Sequence, residues 1–213
     1  MIKVKAVIFD RDGVIINSEY AVVASVPKAF KALGFEVTEE DLKYIVGRSV
    51  TSYKDYFLNK WDFDFEEYRK LQKEFFYQGL ESAPIFEKTV DLINSLHSKN
   101  IPIGLTTSAG KDTTDVVLKM ANLEGKFNVI VTKEDCTKLK PDPEPYIVTA
   151  QKLNIDPKYC VAIEDSALGV ESAKKAGLFC IAIPNEFSKE HDFSLADIVL
   201  DSAEEVERVL EFI

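Results

Sequence analysis

Short apolar runs alternate with amphipathic stretches along most of the chain, which predicts strands and helices in turn. The runs typical of strands lie at residues 4–9, 101–105, 129–131, 160–163, 179–183 and 198–200. From residue 87 onward, helical periodicity covers residues 87–98, 112–120, 143–153, 167–176 and 203–212. Strands that alternate with helices form right-handed βαβ units, so we predict a parallel sheet covered by helices on both faces.

Residues 16–80 interrupt this alternation, because their patterning is helical only. The first predicted helix runs from about Asn17 to Leu33, and Pro27 within it predicts a kink or a late start. The further helices of this block are predicted at residues 38–47, 52–60 and 65–80. We therefore predict an α/β, Rossmann-like core from residues 1–15 and 81–213, with 16–80 inserted as a small α-helical domain.

The first apolar run stops at two aspartates, Asp10 and Asp12, which are followed by Gly13. In extended backbone, residues i and i+2 point the same way, so the two carboxylates can face one site. Two like charges held close together are costly unless a cation or a shared proton relieves them. A solvated acidic turn explains the same residues equally well, since Asp and Gly are common turn formers. The choice between a functional site and such a turn depends on the other motifs of the chain.

Three other strands are also followed by residues suited to phosphate or metal chemistry. Thr107 and Ser108 offer hydroxyls before a helix, Lys140 offers a cation, and Glu164 and Asp165 are adjacent hard oxygen ligands. Helix capping or solvation explains each of them taken alone. All four clusters follow strands of one parallel sheet, where open α/β sheets bind ligands, and together they favour a functional site.

Composition narrows the possible partners of such a site. The chain has 213 residues and a net charge of −10, and an acidic surface disfavours nucleic acid as a partner. No apolar run of about 18 residues is present, which disfavours a membrane partner. The three cysteines lack metal-type spacing. We expect a soluble cytoplasmic protein whose partner is a small molecule.

The motifs also resemble those of a known family. In order, they are Asp10-Arg11-Asp12-Gly13, Thr107-Ser108, Lys140-Pro141 and Glu164-Asp165-Ser166. This order and spacing resemble the haloacid dehalogenase (HAD) superfamily, in particular its β-phosphoglucomutase-like phosphatases, which carry a helical cap inserted after the first motif. The segment at residues 163–170 is typical of that subgroup, and the similarity spans nearly the whole chain.

The resemblance implies a two-step hydrolysis of a small phosphomonoester, such as a sugar phosphate. Asp10 would attack phosphorus and form an aspartyl phosphate, and Asp12 would protonate the leaving oxygen and then activate water. Thr107 would bind phosphoryl oxygens, and Lys140 would neutralise developing charge. Arg11 would point away from the aspartate pair, and its position is often apolar in relatives.

The resemblance also implies a Mg²⁺ cofactor and a substrate-selecting cap. The metal would be held by the side chains of Asp10, Glu164 and Asp165 and by the main-chain carbonyl of Asp12.

Ser108 would assist substrate binding beside Thr107. In the cap, Glu19 lies where relatives often carry an acid near the leaving group, and Arg48 falls in a substrate-facing loop. A surface arginine is an equally good interpretation of Arg48.

Three alternatives to the phosphatase remain at this stage. Mutase relatives use a histidine, an arginine and a lysine where this chain has Val22, Val50 and Gly110, which disfavours a β-phosphoglucomutase-type activity. A non-catalytic domain that binds phosphate or metal is disfavoured because every motif position carries a competent residue. Haloacid dehalogenation needs no Mg²⁺, so the adjacent carboxylates argue against it. The residues leave open whether the substrate is a sugar phosphate, phosphoglycolate or a nucleotide, and they define no oligomeric state.

Overall fold

The computed structural model describes residues 3–45, 50 and 53–212, and it divides the chain into two compact units. The core unit comprises Met1–Ile16 and Ile85–Ile213, and the inserted unit comprises Asn17–Pro84. The sequence prediction had placed the insertion at residues 16–80.

A six-stranded sheet forms the centre of the core unit, and its strand order is β3-β2-β1-β4-β5-β6. The strands are β1 Ala6–Phe9, β2 Ile103–Thr106, β3 Val129–Val131, β4 Cys160–Glu164, β5 Phe179–Ala182 and β6 Ile198–Val199. Every neighbouring pair is parallel, and Phe9 of β1 lies between Leu105 of β2 and Ile163 of β4. The predicted parallel α/β sheet is confirmed. The four strands followed by chemically useful residues are neighbours, with β1 and β2 in the middle.

The helices follow the predicted order with small differences at their ends. Those of the inserted unit are α1 Glu19–Ala32, α2 Glu39–Ile45, α3 Lys54–Lys60 and α4 Phe65–Leu80. Those of the core unit are α5 Glu87–Ser98, α6 Lys111–Met120, α7 Glu144–Leu153, α8 Ala167–Lys175 and α9 Val206–Phe212. Of the two outcomes predicted from Pro27, a kink or a late start, the late start is wrong, because α1 begins well before this proline and continues through it. Among the described helices, none combines the length and the apolar character needed to span a membrane.

The inner strands are apolar along their whole length because helices cover both faces of a parallel sheet. Every residue of β1, β2 and β4 is buried. On one face, small side chains such as Ala162 and Ala173 pack with Ile8 and Tyr146. This packing holds the carboxyl ends of the strands, and the residues that follow them, in fixed positions.

The inserted unit has its own core, which is dominated by aromatic side chains. Phe30 stacks on Tyr68 and lies 4.4 Å, between ring centroids, from Phe57. Asp41 is also buried there, where Lys60 donates to both of its carboxylate oxygens at 2.6 and 2.7 Å. The unit therefore packs around a hydrophobic centre independent of the sheet.

Candidate active site

Lys140 joins two of the predicted motifs at the carboxyl edge of the sheet. Its Nζ lies 2.6 Å from Oδ1 of Asp10 and 2.5 Å from Oε1 of Glu164. It also donates to the carbonyl of Thr106, at 3.2 Å. The side chain is only 8% exposed, so a solvated lysine does not describe it. Burial opposes its charge, but Asp10 and Glu164 outweigh burial and raise the pKa of Lys140 above its ordinary range.

Local capping holds the loop that carries Lys140. The Glu144 side chain, at the start of α7, accepts hydrogen bonds from the main-chain N–H groups of Thr137 and Lys138, at 2.7 and 2.9 Å. The Thr137 hydroxyl donates to the same carboxylate at 2.7 Å. The loop is thereby closed on the first turn of the helix, which fixes the approach of Lys140 to the site.

Three buried carboxylates gather beside this lysine. Asp10, Glu164 and Asp165 each offer an oxygen, and these oxygens lie within 4.8 Å of one another. Burial raises the pKa of Asp10 to about 7, because it outweighs the opposing effect of Lys140 and is reinforced by Glu164 and Asp12. Burial and the charge of Glu164 also raise the pKa of Asp165 well above its usual range. Such a group of hard oxygen donors, short of positive charge, fits a divalent cation such as Mg²⁺.

Two glycines make room for these carboxylates. Gly13 has φ = +77°, and a Cβ built on it would lie 2.0 Å from Oδ2 of Asp165. A Cβ on Gly169 would lie 2.0 Å from the Glu164 carboxylate. Real side chains do not approach this closely, so any larger residue would displace a carboxylate of the cluster.

Two residues that the sequence analysis missed hold the same carboxylates. The Tyr146 hydroxyl, which is fully buried, donates to Oε1 of Glu164 at 2.7 Å. Asn185 donates to Oδ2 of Asp165 at 2.8 Å and to the carbonyl of Gly13 at 3.2 Å. An aromatic in a helix is typical of a core position, and an asparagine after a strand is typical of a turn, so neither position stood out.

Thr107 is buried at the end of β2. Its main-chain N–H donates to the carbonyl of Val131, at 3.0 Å, and its hydroxyl accepts from the N–H of Ala109 at 3.1 Å. The hydroxyl also lies 3.4 Å from Oδ2 of Asp12. Ser108 is exposed at the turn. The structure therefore brings Thr107 next to Asp12 and leaves Ser108 at the surface.

The orientation expected for Arg11 is wrong. Instead of pointing away from the aspartates, its Nη2 lies 2.7 and 2.8 Å from the two carboxylate oxygens of Asp12. The physical reason is burial, because a guanidinium removed from water needs a charged partner. The Asp12 side chain, at 37% exposure, supplies that partner.

The inserted unit carries two of the predicted substrate contacts, Glu19 and Arg48. Glu19 is the first residue of α1 and is partly buried. Arg48 lies outside the described residues.

Comparison with known families identifies the family of the chain. Residues 7–183 match the model of the haloacid dehalogenase-like hydrolases, which spans most of the chain. The chain therefore belongs to the haloacid dehalogenase-like hydrolase family.

Individual relatives cover nearly the full length. The chain is 26% identical to validoxylamine A 7'-phosphate phosphatase from Streptomyces hygroscopicus subsp. limoneus, over 95% of both chains. It is 25% identical to hexitol phosphatase B from Escherichia coli K12, over 96% of this chain and 95% of that one. Among solved structures, β-phosphoglucomutase from Clostridium difficile matches with a TM-score of 0.77 and 25% identity, over 98% and 96% of the two chains. CbbY from Rhodobacter sphaeroides, in complex with phosphate, matches in fold with a TM-score of 0.81 and 24% identity, over 97% and 96%.

Proposed function

We propose that this chain, a phosphoric monoester hydrolase of its family, is a Mg²⁺-dependent phosphatase that forms an aspartyl phosphate on Asp10. The observation that carries the proposal is the buried group formed by Asp10, Lys140, Glu164 and Asp165. The names of validoxylamine A 7'-phosphate phosphatase and hexitol phosphatase B support a phosphorylated sugar or a similar small molecule as the substrate.

In the first step, an Asp10 oxygen attacks phosphorus, and the bond from phosphorus to the ester oxygen breaks. Asp12 gives its proton to that oxygen as the alcohol leaves. In the second step, Asp12 takes a proton from water, the water oxygen attacks phosphorus, and the bond to Asp10 breaks. Inorganic phosphate is released, and Asp10 and Asp12 return to their starting states. Lys140 and the Thr107 hydroxyl stabilise the charge on the phosphoryl oxygens.

The metal would be held by Asp10, Asp165 and the main-chain carbonyl of Asp12, with Glu164 as the fourth predicted ligand. When bound, Mg²⁺ would neutralise the carboxylates and polarise a phosphoryl oxygen. Both oxygens of Glu164 also accept bonds from protein donors: Oε1 from Lys140 and Tyr146, and Oε2 from the main-chain N–H of Asp165. For this reason we assign Glu164 the further role of keeping Lys140 and the other carboxylates in place.

The remaining assignments stay predictions from the sequence. They are the role of the inserted unit as a substrate-selecting cap, the substrate contacts of Glu19, Arg48 and Ser108, and the cytoplasmic location.

The test is phosphate release from a panel of sugar phosphates, phosphoglycolate and nucleoside monophosphates. Wild-type protein is compared with Asp10→Asn, in Mg²⁺ and in EDTA. A matched control is Asp91→Asn, because Asp91 is exposed on α5. We expect release that requires Mg²⁺ and falls more than about 1,000-fold in Asp10→Asn, with Asp91→Asn at the wild-type rate. Release that survives both EDTA and Asp10→Asn would overturn the proposal.

The solved β-phosphoglucomutase relative makes a mutase the second candidate. Where mutases carry a lysine, this chain has Gly110, and the neighbouring Lys111 pairs with Asp115 at 2.6 Å. We therefore favour hydrolysis. Rapid interconversion of β-glucose 1-phosphate and glucose 6-phosphate with a bisphosphate activator, and almost no phosphate release, would establish the mutase instead. Binding of Mg²⁺ and phosphate mimics with neither activity would indicate a binding domain.

A further inference from the structure

Arg11 lies between the two motif aspartates and is almost completely buried, at 2% exposure. It is the largest of the fully buried side chains in the described part of the chain. The effective penalty for removing one ion from water is several kcal/mol, and a carboxylate repays it only in good geometry. An arginine at this position therefore needs an explanation.

The guanidinium of Arg11 connects two elements of the core unit. Its Nη2 donates to both carboxylate oxygens of Asp12, while its Nη1 donates to the hydroxyls of Thr113 and Thr114, at 2.9 and 3.2 Å. Those two hydroxyls in turn donate to the carbonyl of Gly110, each at 2.9 Å. The first turn of α6 therefore fixes the guanidinium, and the guanidinium holds Asp12.

This arrangement is poorly suited to stability alone. The Nε of Arg11 is buried and has no hydrogen-bond partner among the described residues, which costs free energy. The Asp12 carboxylate that the guanidinium contacts is 37% exposed, and ion pairs open to water contribute little to stability. Residues that carry such a cost are concentrated at functional sites.

The two motif aspartates contact different cations. Lys140 holds Asp10, the proposed nucleophile, and Arg11 holds Asp12, the proposed acid and base. Each motif aspartate is thus held by a different basic side chain, and Lys140 also contacts Glu164.

We infer that Arg11, anchored by Thr113 and Thr114, is a positioning residue that orients Asp12 for proton transfer to the leaving oxygen and from the attacking water. The inference rests on the proposed function, since it assigns Asp12 the proton transfers of that reaction. The hydrogen bonds also link the turn after Thr107 to Asp12, because the carbonyl of Gly110 belongs to that turn.

Substrates with different leaving groups distinguish this positioning role of Arg11 from a purely structural one. An alkyl or sugar oxygen needs a proton as it leaves, whereas 4-nitrophenolate leaves without one. Displacement of Asp12 should therefore slow the cleavage of a sugar phosphate and spare that of 4-nitrophenyl phosphate. A general loss of packing would slow both.

The experiment measures kcat/KM for both substrates in Mg²⁺, using the best sugar phosphate from the panel. The variants are Arg11→Met and the double variant Thr113→Val with Thr114→Val, and the matched control is Arg208→Met, because Arg208 is exposed on α9. A shift of about 1 Å in a catalytic group can cost about 100-fold. We expect Arg11→Met to lower kcat/KM for the sugar phosphate about 10- to 100-fold, the double variant to lower it less, and 4-nitrophenyl phosphate cleavage to hold within about threefold.

An equal loss on the two substrates, or no loss, would overturn the inference. If Arg11→Met does not fold, the double variant decides, because it keeps the pairing of Arg11 with Asp12 and removes only the anchor. Failure of the proposed function is a separate result, since wild-type protein would then release no phosphate from either substrate.

Discussion

Replacement of Lys140 by methionine should destabilise the folded protein, because buried carboxylates lose their cation. The substitution keeps most of the side-chain volume and removes the cation shared by Asp10 and Glu164, whose side chains are 10% and 0% exposed. Breaking a buried pair by removing one partner costs about 3–5 kcal/mol, because a buried charge is left uncompensated. We therefore expect Lys140→Met to lower the free energy of unfolding by about 3–5 kcal/mol at pH 8 in EDTA.

The deficit in the free energy of unfolding of Lys140→Met should depend on pH in a defined direction. Even with Lys140 present, the pKa of Asp10 is about 7, above its ordinary value of 3.8. When the pKa of a carboxyl group is higher in the folded than in the unfolded state, the folded protein loses stability as pH rises from the lower to the higher value. Loss of the Lys140 cation strengthens this dependence on pH. The deficit of Lys140→Met should therefore be larger at pH 8 than at pH 6, and Mg²⁺ should reduce it.

Urea denaturation at the two pH values, with and without Mg²⁺, measures these quantities. Lys88→Met is the matched control, because Lys88 and its partner Glu204 are 59% and 58% exposed, and such a pair contributes only about 0–1 kcal/mol. If Lys140→Met in EDTA at pH 8 were as stable as wild type, or if its deficit shrank from pH 6 to pH 8, the electrostatic argument would be refuted.

Three other substitutions test separate parts of the structure. Gly169→Ala should weaken Mg²⁺ binding, measured by calorimetry, because the new Cβ must displace the Glu164 carboxylate; unchanged affinity would contradict this. Tyr146→Phe removes a buried donor to a charged acceptor and should cost about 1.5–3 kcal/mol in urea denaturation, and a neutral result would show that the hydrogen bond contributes nothing. Asp41→Asn should cost about 2 kcal/mol at pH 7, because hydrogen bonds, among them those from Lys60, overcome burial and lower the pKa of Asp41 from 3.8 to about 2. That deficit should disappear as pH falls toward 2, and a deficit independent of pH would count against the assignment.

The sheet could be predicted from the sequence because its strands carry a strong signal. β1 and β4 are buried on both faces, so they consist of continuous apolar runs bounded by polar residues. The ends of the helices could be predicted less accurately. The helix predicted at residues 203–212 begins as a 3₁₀ turn at Ala203–Glu205, and α1 continues through Pro27, because tertiary packing overrides local preference at such positions.

The motif residues could be predicted because each follows a strand of a parallel sheet, and parallel strands bring their carboxyl ends to one edge. The residues that support them could not. Tyr146 and Asn185 donate to carboxylates that are distant in the sequence, and Arg11 contacts Thr113 across about a hundred positions of chain. Such contacts leave no local pattern, since they depend on the folded arrangement of several elements.

The most direct test of the account is to trap the phosphorylated enzyme. Asp12→Asn protein is mixed with 4-nitrophenyl phosphate in Mg²⁺, quenched in acid during the nitrophenol burst and reduced with borohydride, which converts an acyl phosphate to an alcohol. Because the second step lacks its base, the account predicts a burst near one nitrophenol per chain and homoserine at position 10 in the peptide mass spectrum. A burst with Asp10 unmodified, or with the reduced residue elsewhere in the chain, would contradict the assignment of Asp10 as the nucleophile.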